Sequence, residues 1–143
     1  MIDFEKINQQ NDTITELSNV LTLLMTDRLL LDTHLSCELF DRYLTNVKEH
    51  QDVVERKMIS SLLCSKNKQD NKVANDFLEG SKEIRRIVKQ YTKKWCNHNR
   101  VNSKNLIIGD YDEFIQITKQ MFELVLNRIV DETEKLYPLI RKL

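Results

Sequence analysis

Residues 110–140, DYDEFIQITKQMFELVLNRIVDETEKLYPLI, decide how the chain is read. Phe114, Met121, Val125, Arg128, Glu132, Leu136 and Leu139 follow one another at steps of three, four or seven, which stacks them on one face of an α-helix. Asp110, just after Gly109, is suited to cap the first turn, and Glu113 completes an Asp-x-x-Glu box. Pro138 has no amide hydrogen and is expected to kink or end the helix. Two members of this inner face are charged. Arg128 and Glu132 stand one turn apart, close enough to pair directly.

Reading back toward the N-terminus gives three more amphipathic segments. Val73, Phe77, Ser81, Ile84, Val88, Tyr91 and Trp95 define helix C, with polar stretches at 65–71 and 97–105 read as loops on either side. Gly80 lies inside this helix at a cost of about 1 kcal/mol relative to Ala, which close packing against a neighbour would explain. Helix B is expected from about 35 to 64, with Cys37, Phe40, Tyr43, Leu44, Val47, His50, Val54, Met58 and Leu62 inward. Helix A is expected from about 4 to 30, along Phe4, Ile7, Ile14, Leu17, Leu21 and Leu24, although Thr13-x-x-Glu16 offers a second start at Ile14. The turn between A and B is placed at Leu31–His34, which makes the helices similar in length. Four helices, each roughly 40 Å long at 1.5 Å per residue, predict an all-α fold: an up-down-up-down antiparallel four-helix bundle forming one domain over residues 1–143.

Composition agrees with this. Two Gly and one Pro in 143 residues are too few for a many-turned β-sandwich, a collagen-like chain or a long disordered tail. No apolar run approaches the ~20 residues needed to cross a bilayer, and the N-terminus has no signal-peptide pattern, so a soluble, cytoplasmic chain with no membrane partner is expected. Cys37, Cys64 and Cys96 are an odd number in no C-x-x-C spacing, as expected of reduced thiols. Cys96, near Lys93 and Lys94, is a candidate for a lowered thiol pKa and redox sensing.

The net charge of zero hides a gradient. Residues 1–60 hold 6 basic and 11 acidic residues, whereas residues 61–105 hold 11 basic and 4 acidic. Lys82, Arg85, Arg86, Lys89, Lys93 and Lys94 form a stripe on helix C, continued by Arg100 and Lys104, that could meet nucleic acid or an acidic partner. Tyr91 and Trp95 fall on the opposite, apolar side, so the stripe reads first as a solvated face. His34, at a turn, and His98, in a loop, read as surface histidines. There is no G-x-S-x-G motif and no Gly-rich phosphate loop, and an enzyme is not expected.

Function in helix bundles is commonly built from polar side chains that project into the core. Three residues interrupt the apolar faces: His50, Arg128 and Glu132. They also mark an internal echo, in which His50–Leu63 can be laid over Arg128–Ile140 with His50 on Arg128 and Val54 on Glu132. The stretch Arg128-Ile-Val-Asp-Glu132-Thr-Glu-Lys-Leu-Tyr-Pro-Leu139 resembles the last helix of bacterial hemerythrin-like domains, with their His-Ile-x-x-Glu-Glu-x-x-Leu-Phe/Tyr-Pro-Leu pattern. His50-x-x-x-Val54-Glu55 is similar to that family's second-helix His-x-x-x-Glu-Glu.

The resemblance implies a bundle whose core would hold two irons through five histidines and two carboxylates. Only His50 and Glu132 match ligand positions here. Arg128 stands where a histidine is expected and Val54 where a carboxylate is expected; the chain has three histidines in all. Glu55 is rotated by about 140° from His50, so the two cannot chelate one ion. A guanidinium has no lone pair for a metal but offers fork-shaped donors to a carboxylate. Arg128 is therefore expected to neutralise Glu132 in place of a metal, with His50 hydrogen-bonded nearby.

These residues favour a non-enzymatic, hemerythrin-like regulatory or interaction domain with a degenerate metal site, no cofactor and a protein partner; a homodimer is compatible with it. The sigma-factor-binding regulators of the Rsd/AlgQ type are more distantly similar: their Arg-Phe-x-x-Glu-Asp stretch resembles Arg128–Thr133. The alternative is an iron-, oxygen- or NO-binding sensor with a reduced site of His50, Glu132 and His34. A third reading is nucleic-acid binding by the helix C stripe.

Overall fold

Five of the helices begin where a short polar side chain takes up an orphan backbone amide. Asp3 accepts from the Lys6 amide and opens α1 (Phe4–Leu24), so the helix does not wait for Ile14. Asp27 does the same for a one-turn α2 (Arg28–Leu31), and Thr33 for α3 (His34–Val53). Between α3 and the next long helix, the chain passes through a π-helical stretch, Val54–Ile59, into α4 (Ser60–Leu63). Asn67 caps α5 (Lys68–Trp95), and Asp110 caps α6 (Tyr111–Asp131) by accepting from the Glu113 amide. After α6, a second π-helical stretch, Glu132–Leu136, leads into α7 (Tyr137–Arg141). This computed structural model describes residues 2–96, 106 and 108–143, which are all-α with no strand among them. Among these residues, no helix is long and apolar enough to cross a membrane.

Three expected boundaries move, each for a local reason. The helix expected over 4–30 stops at Leu24, because Asp27 captures an amide and the Tyr111 hydroxyl of α6 donates to the Met25 carbonyl. The loop expected over 65–71 is shorter, because Asn67 starts α5 at Lys68. Pro138 does not end the last helix. It is the second residue of α7, directly after the π-helical stretch, where its missing amide hydrogen removes one backbone bond without breaking the helix, and the chain stays helical to Arg141. The loop expected over 97–105 lies outside the described residues, as do His98, Arg100 and Lys104.

The two π stretches fall where the internal echo predicts equivalence. One begins at Val54 and the other at Glu132, the residues aligned with each other. The Ser60 amide reaches back five residues to the Glu55 carbonyl, and the Tyr137 amide reaches back five to Glu132. The counterpart of the Ser60 bond would come from Pro138, which has no hydrogen to give, so the second stretch is one residue shorter. The wider turn also rotates the residues beyond it. Tyr137 and Ile140 are buried beside Leu136, whereas Leu139, expected inward, is only half-buried.

α1 packs along α3, α5 against α6, and α4 against α7. The core is divided in two. One apolar cluster, rich in rings, includes Phe40, Tyr43, Tyr91, Trp95, Phe114 and Phe122, with Phe40 edge-on to Phe114 at 5.7 Å. The other gathers Ile7, Val54, Met58, Phe77, Leu136 and Tyr137. On every long segment a buried polar residue falls between the two: Asn11 between Ile7 and Ile14, His50 between Val47 and Val54, Ser81 between Phe77 and Ile84, and Arg128 with Glu132 between Val125 and Leu136.

Candidate functional site

This polar layer is the candidate site, and it is centred on one carboxylate. Glu132, at 0% exposure, is the first residue of the second π stretch. The His50 Nε2–H donates to its Oε1 at 2.6 Å, and the Arg128 Nε–H donates to its Oε2 at 2.8 Å. Both oxygens of the buried anion are therefore served, as burial of a charge requires. The Tyr137 hydroxyl lies 3.5 Å from Oε1 and accepts from the Asn11 side-chain amide at 3.1 Å. Burial first, and then the negative charge of Glu132, pushes the Tyr137 hydroxyl well above its ordinary range. The other ring nitrogen of His50 is 3.2 Å from Gln10 Oε1.

Arg128 is 8% exposed and held on three sides. Besides Glu132, a terminal nitrogen donates to the Ser81 hydroxyl at 2.6 Å, and the guanidinium carbon lies 4.7 Å from the centre of the Phe77 ring. Gly80 finds its reason here. A Cβ at that position would stand 2.6 Å from an Arg128 terminal nitrogen, so the missing side chain makes room for the guanidinium. The close neighbour expected of this glycine is a charge from another helix.

The structure thus brings His50, Arg128 and Glu132 together and leaves the other candidates elsewhere. His34 is the first residue of α3, exposed, with its Nε2 3.1 Å from Glu38. It stands sixteen residues before His50 on the same helix, about 24 Å along the axis at 1.5 Å per residue. The set His50, Glu132 and His34 is not assembled, and among the described residues no three His, Cys, Asp or Glu side chains converge as a metal site would need.

The basic stripe is largely spoken for by neighbouring acids. Lys82 lies 3.4 Å from Glu79, Arg86 lies 2.5 Å from Glu83, and Lys94 pairs with Glu113. Arg85 reaches Asp52 at 2.6 Å and Glu55 at 2.9 Å, which also places Glu55 outside the polar layer. Lys89 and Lys93 have no such partner among the described residues. The candidate reading of Cys96 as a lowered, redox-sensing thiol is corrected: burial, followed by Asp41 and Cys37, pushes it up to about 12, away from a reactive thiolate.

Sequence reasoning missed Gln10 and Asn11. The signal was present, because the apolar face of α1 steps by seven from Ile7 to Ile14, and the skipped position is Asn11. Comparison with protein-family models, curated proteins and solved structures finds no match to this chain, so the site is read from its own geometry.

Proposed function

We propose that the chain is an antiparallel four-helix bundle of the hemerythrin-like kind. In this reading, the His50–Glu132–Arg128 network takes the place of a metal centre, and the protein acts without catalysis as a regulatory or protein-interaction module in a reducing cytoplasm. The observation that carries it is the buried guanidinium of Arg128. It supplies positive charge to a carboxylate that a metal would otherwise neutralise, it has no lone pair to coordinate an ion, and it is locked to Ser81 as well as Glu132. With the core closed in this way, action passes to the surface. Four exposed leucines, Leu23, Leu29 (83% exposed), Leu30 and Leu35 (61% exposed), fall where α1 gives way to α2 and α3, an unusual concentration of apolar area on a surface and a suitable place for a protein partner.

Two measurements test the reading. Protein purified from iron-supplemented cells should carry far less than one iron per chain; stoichiometric iron with an oxo-bridged absorption band would overturn it. Photo-crosslinkers at Leu29 and Leu35 should capture a discrete protein, another copy of this chain included, and the same reagents at Lys82 should not. Equal labelling at the two places counts against an interface at the leucines.

A further inference from the structure

Along the outer side of the contact between α3 and α5 runs a groove of about 970 Å³, at the upper end of the size usual for small-molecule sites. Leu44, Val47, Ile84 and Val88 form an apolar floor, and Lys48, Lys89 and Lys93 stand on its rim. Two observations point to what such a groove would hold.

The first is charge. From Lys82 onward along α5, Lys82, Arg85, Arg86 and Lys94 each have an acidic partner, whereas Lys89 and Lys93, the two lysines of α5 that border the groove, have none among the described residues. Lys48, across from them on α3, likewise has no ion pair among these residues, while Arg85 is outweighed by one charge by Asp52 and Glu55, a surplus smaller than the three unpaired lysines. Asp41 is the one carboxylate on the lining, so the lysines outnumber the acids and the rim is positive. The second is a polar orphan. Gln51 borders the same groove, is 2% exposed, and its side-chain carbonyl oxygen has no hydrogen-bond partner among the described residues. A buried amide oxygen left in this state carries an uncompensated desolvation cost, which a donor brought by a ligand would relieve once the amide turns toward it.

We infer that this groove binds a small anionic amphiphile: an apolar chain or ring system over the Leu44, Val47, Ile84 and Val88 floor, an N–H or O–H group in reach of Gln51, and a carboxylate against Lys89 and Lys93. The site is independent of the polar layer and of the exposed leucines, so it stands or falls separately from the interaction role.

Calorimetric titration of the full chain with N-dodecanoylglycine, which combines an alkyl chain, an amide N–H and a carboxylate, tests this directly below the micellar concentration. Saturable one-to-one binding is expected. It should weaken roughly tenfold or more in Lys89→Glu combined with Lys93→Glu, since each lost ion contact is worth a few-fold and reversal adds repulsion. The uncharged N-dodecylacetamide should bind correspondingly worse, Val88→Trp should block the floor, and Lys82→Glu, whose residue lies off the groove, should change nothing. The charge-reversed lysines are on the surface, and circular dichroism will register any loss of fold. Failure of N-dodecanoylglycine to saturate, affinity unchanged in the lysine double variant or in Val88→Trp, or equal binding of the uncharged analogue would overturn the inference.

Discussion

Two stretches of this chain, His50–Leu63 and Arg128–Ile140, share a backbone and differ in chemistry. Both widen into a π turn at the aligned residue, and both bury the same register: Val54 and Glu132, Met58 and Leu136, Ile59 and Tyr137, Leu62 and Ile140. Yet the first arm brings one polar group, His50, to the central layer, whereas the second brings Arg128, Glu132 and Tyr137. The shape of the pair is carried by packing and backbone register. The electrostatics are carried by one arm, so the buried charge balance rests on two residues of a single helical stretch.

That asymmetry can be broken where it is largest. Arg128→Leu leaves the Glu132 carboxylate buried with only His50 and Tyr137 near it, and Glu132→Leu leaves a buried guanidinium with no acid; each should cost about 3–5 kcal/mol. The double variant, in which both arms are apolar at the 54/132 position, should be clearly more stable than either single one. Thermal melts of the three proteins decide this, and equal melting temperatures for Arg128→Leu and the double variant would remove the pairing argument.

Tyr137→Phe makes the arms more alike by one hydroxyl and should cost about 1–2 kcal/mol at neutral pH, because the Asn11 donor loses its acceptor. It should also change the alkaline limb of stability. The folded hydroxyl holds its proton above the ordinary value of 10.0, so the unfolded chain releases that proton first. The contribution is whole below about pH 10 and is lost as pH rises through the folded value. Denaturant titrations from pH 8 to 11 should show a shallower fall for Tyr137→Phe than for the parent.

A smaller change tests the backbone half of the comparison. Ser60→Pro puts into the first arm the residue that shortens the π stretch of the second and removes the Ser60-to-Glu55 bond. A loss near 1 kcal/mol is expected, well under the ~3 kcal/mol of a proline in an unbroken helix. A loss at the larger value would mean that the two arms are not equivalent in register.

The smallest effect is the most diagnostic of the guanidinium's place. Gly80→Ala gains about 1 kcal/mol of helix propensity but crowds Arg128, so the net change should be within about 1 kcal/mol in the parent. In the Arg128→Leu background the same substitution should stabilise by about 1 kcal/mol. A double-mutant cycle with no coupling would place the guanidinium elsewhere.

The spacing of apolar residues was enough, by itself, to read an all-helical chain, most of its buried face, and the adjacency of Arg128 and Glu132, because these depend on neighbours three or four residues apart on one helix. Even the π turns left a trace: the buried positions 50, 54, 58 and 62, and again 128, 132, 136 and 140, advance by steps of four, a slower winding than the 3.6 residues of an α-helix. What only the tertiary structure decided is who meets whom across the core. Gly80 faces the Arg128 guanidinium, Ser81 and Gln10 complete the polar layer, and Asp52 and Glu55 of the second long segment neutralise Arg85 of the third. These partners are tens of residues apart, and local periodicity says which way a side chain faces but nothing about the surface that will come to lie against it.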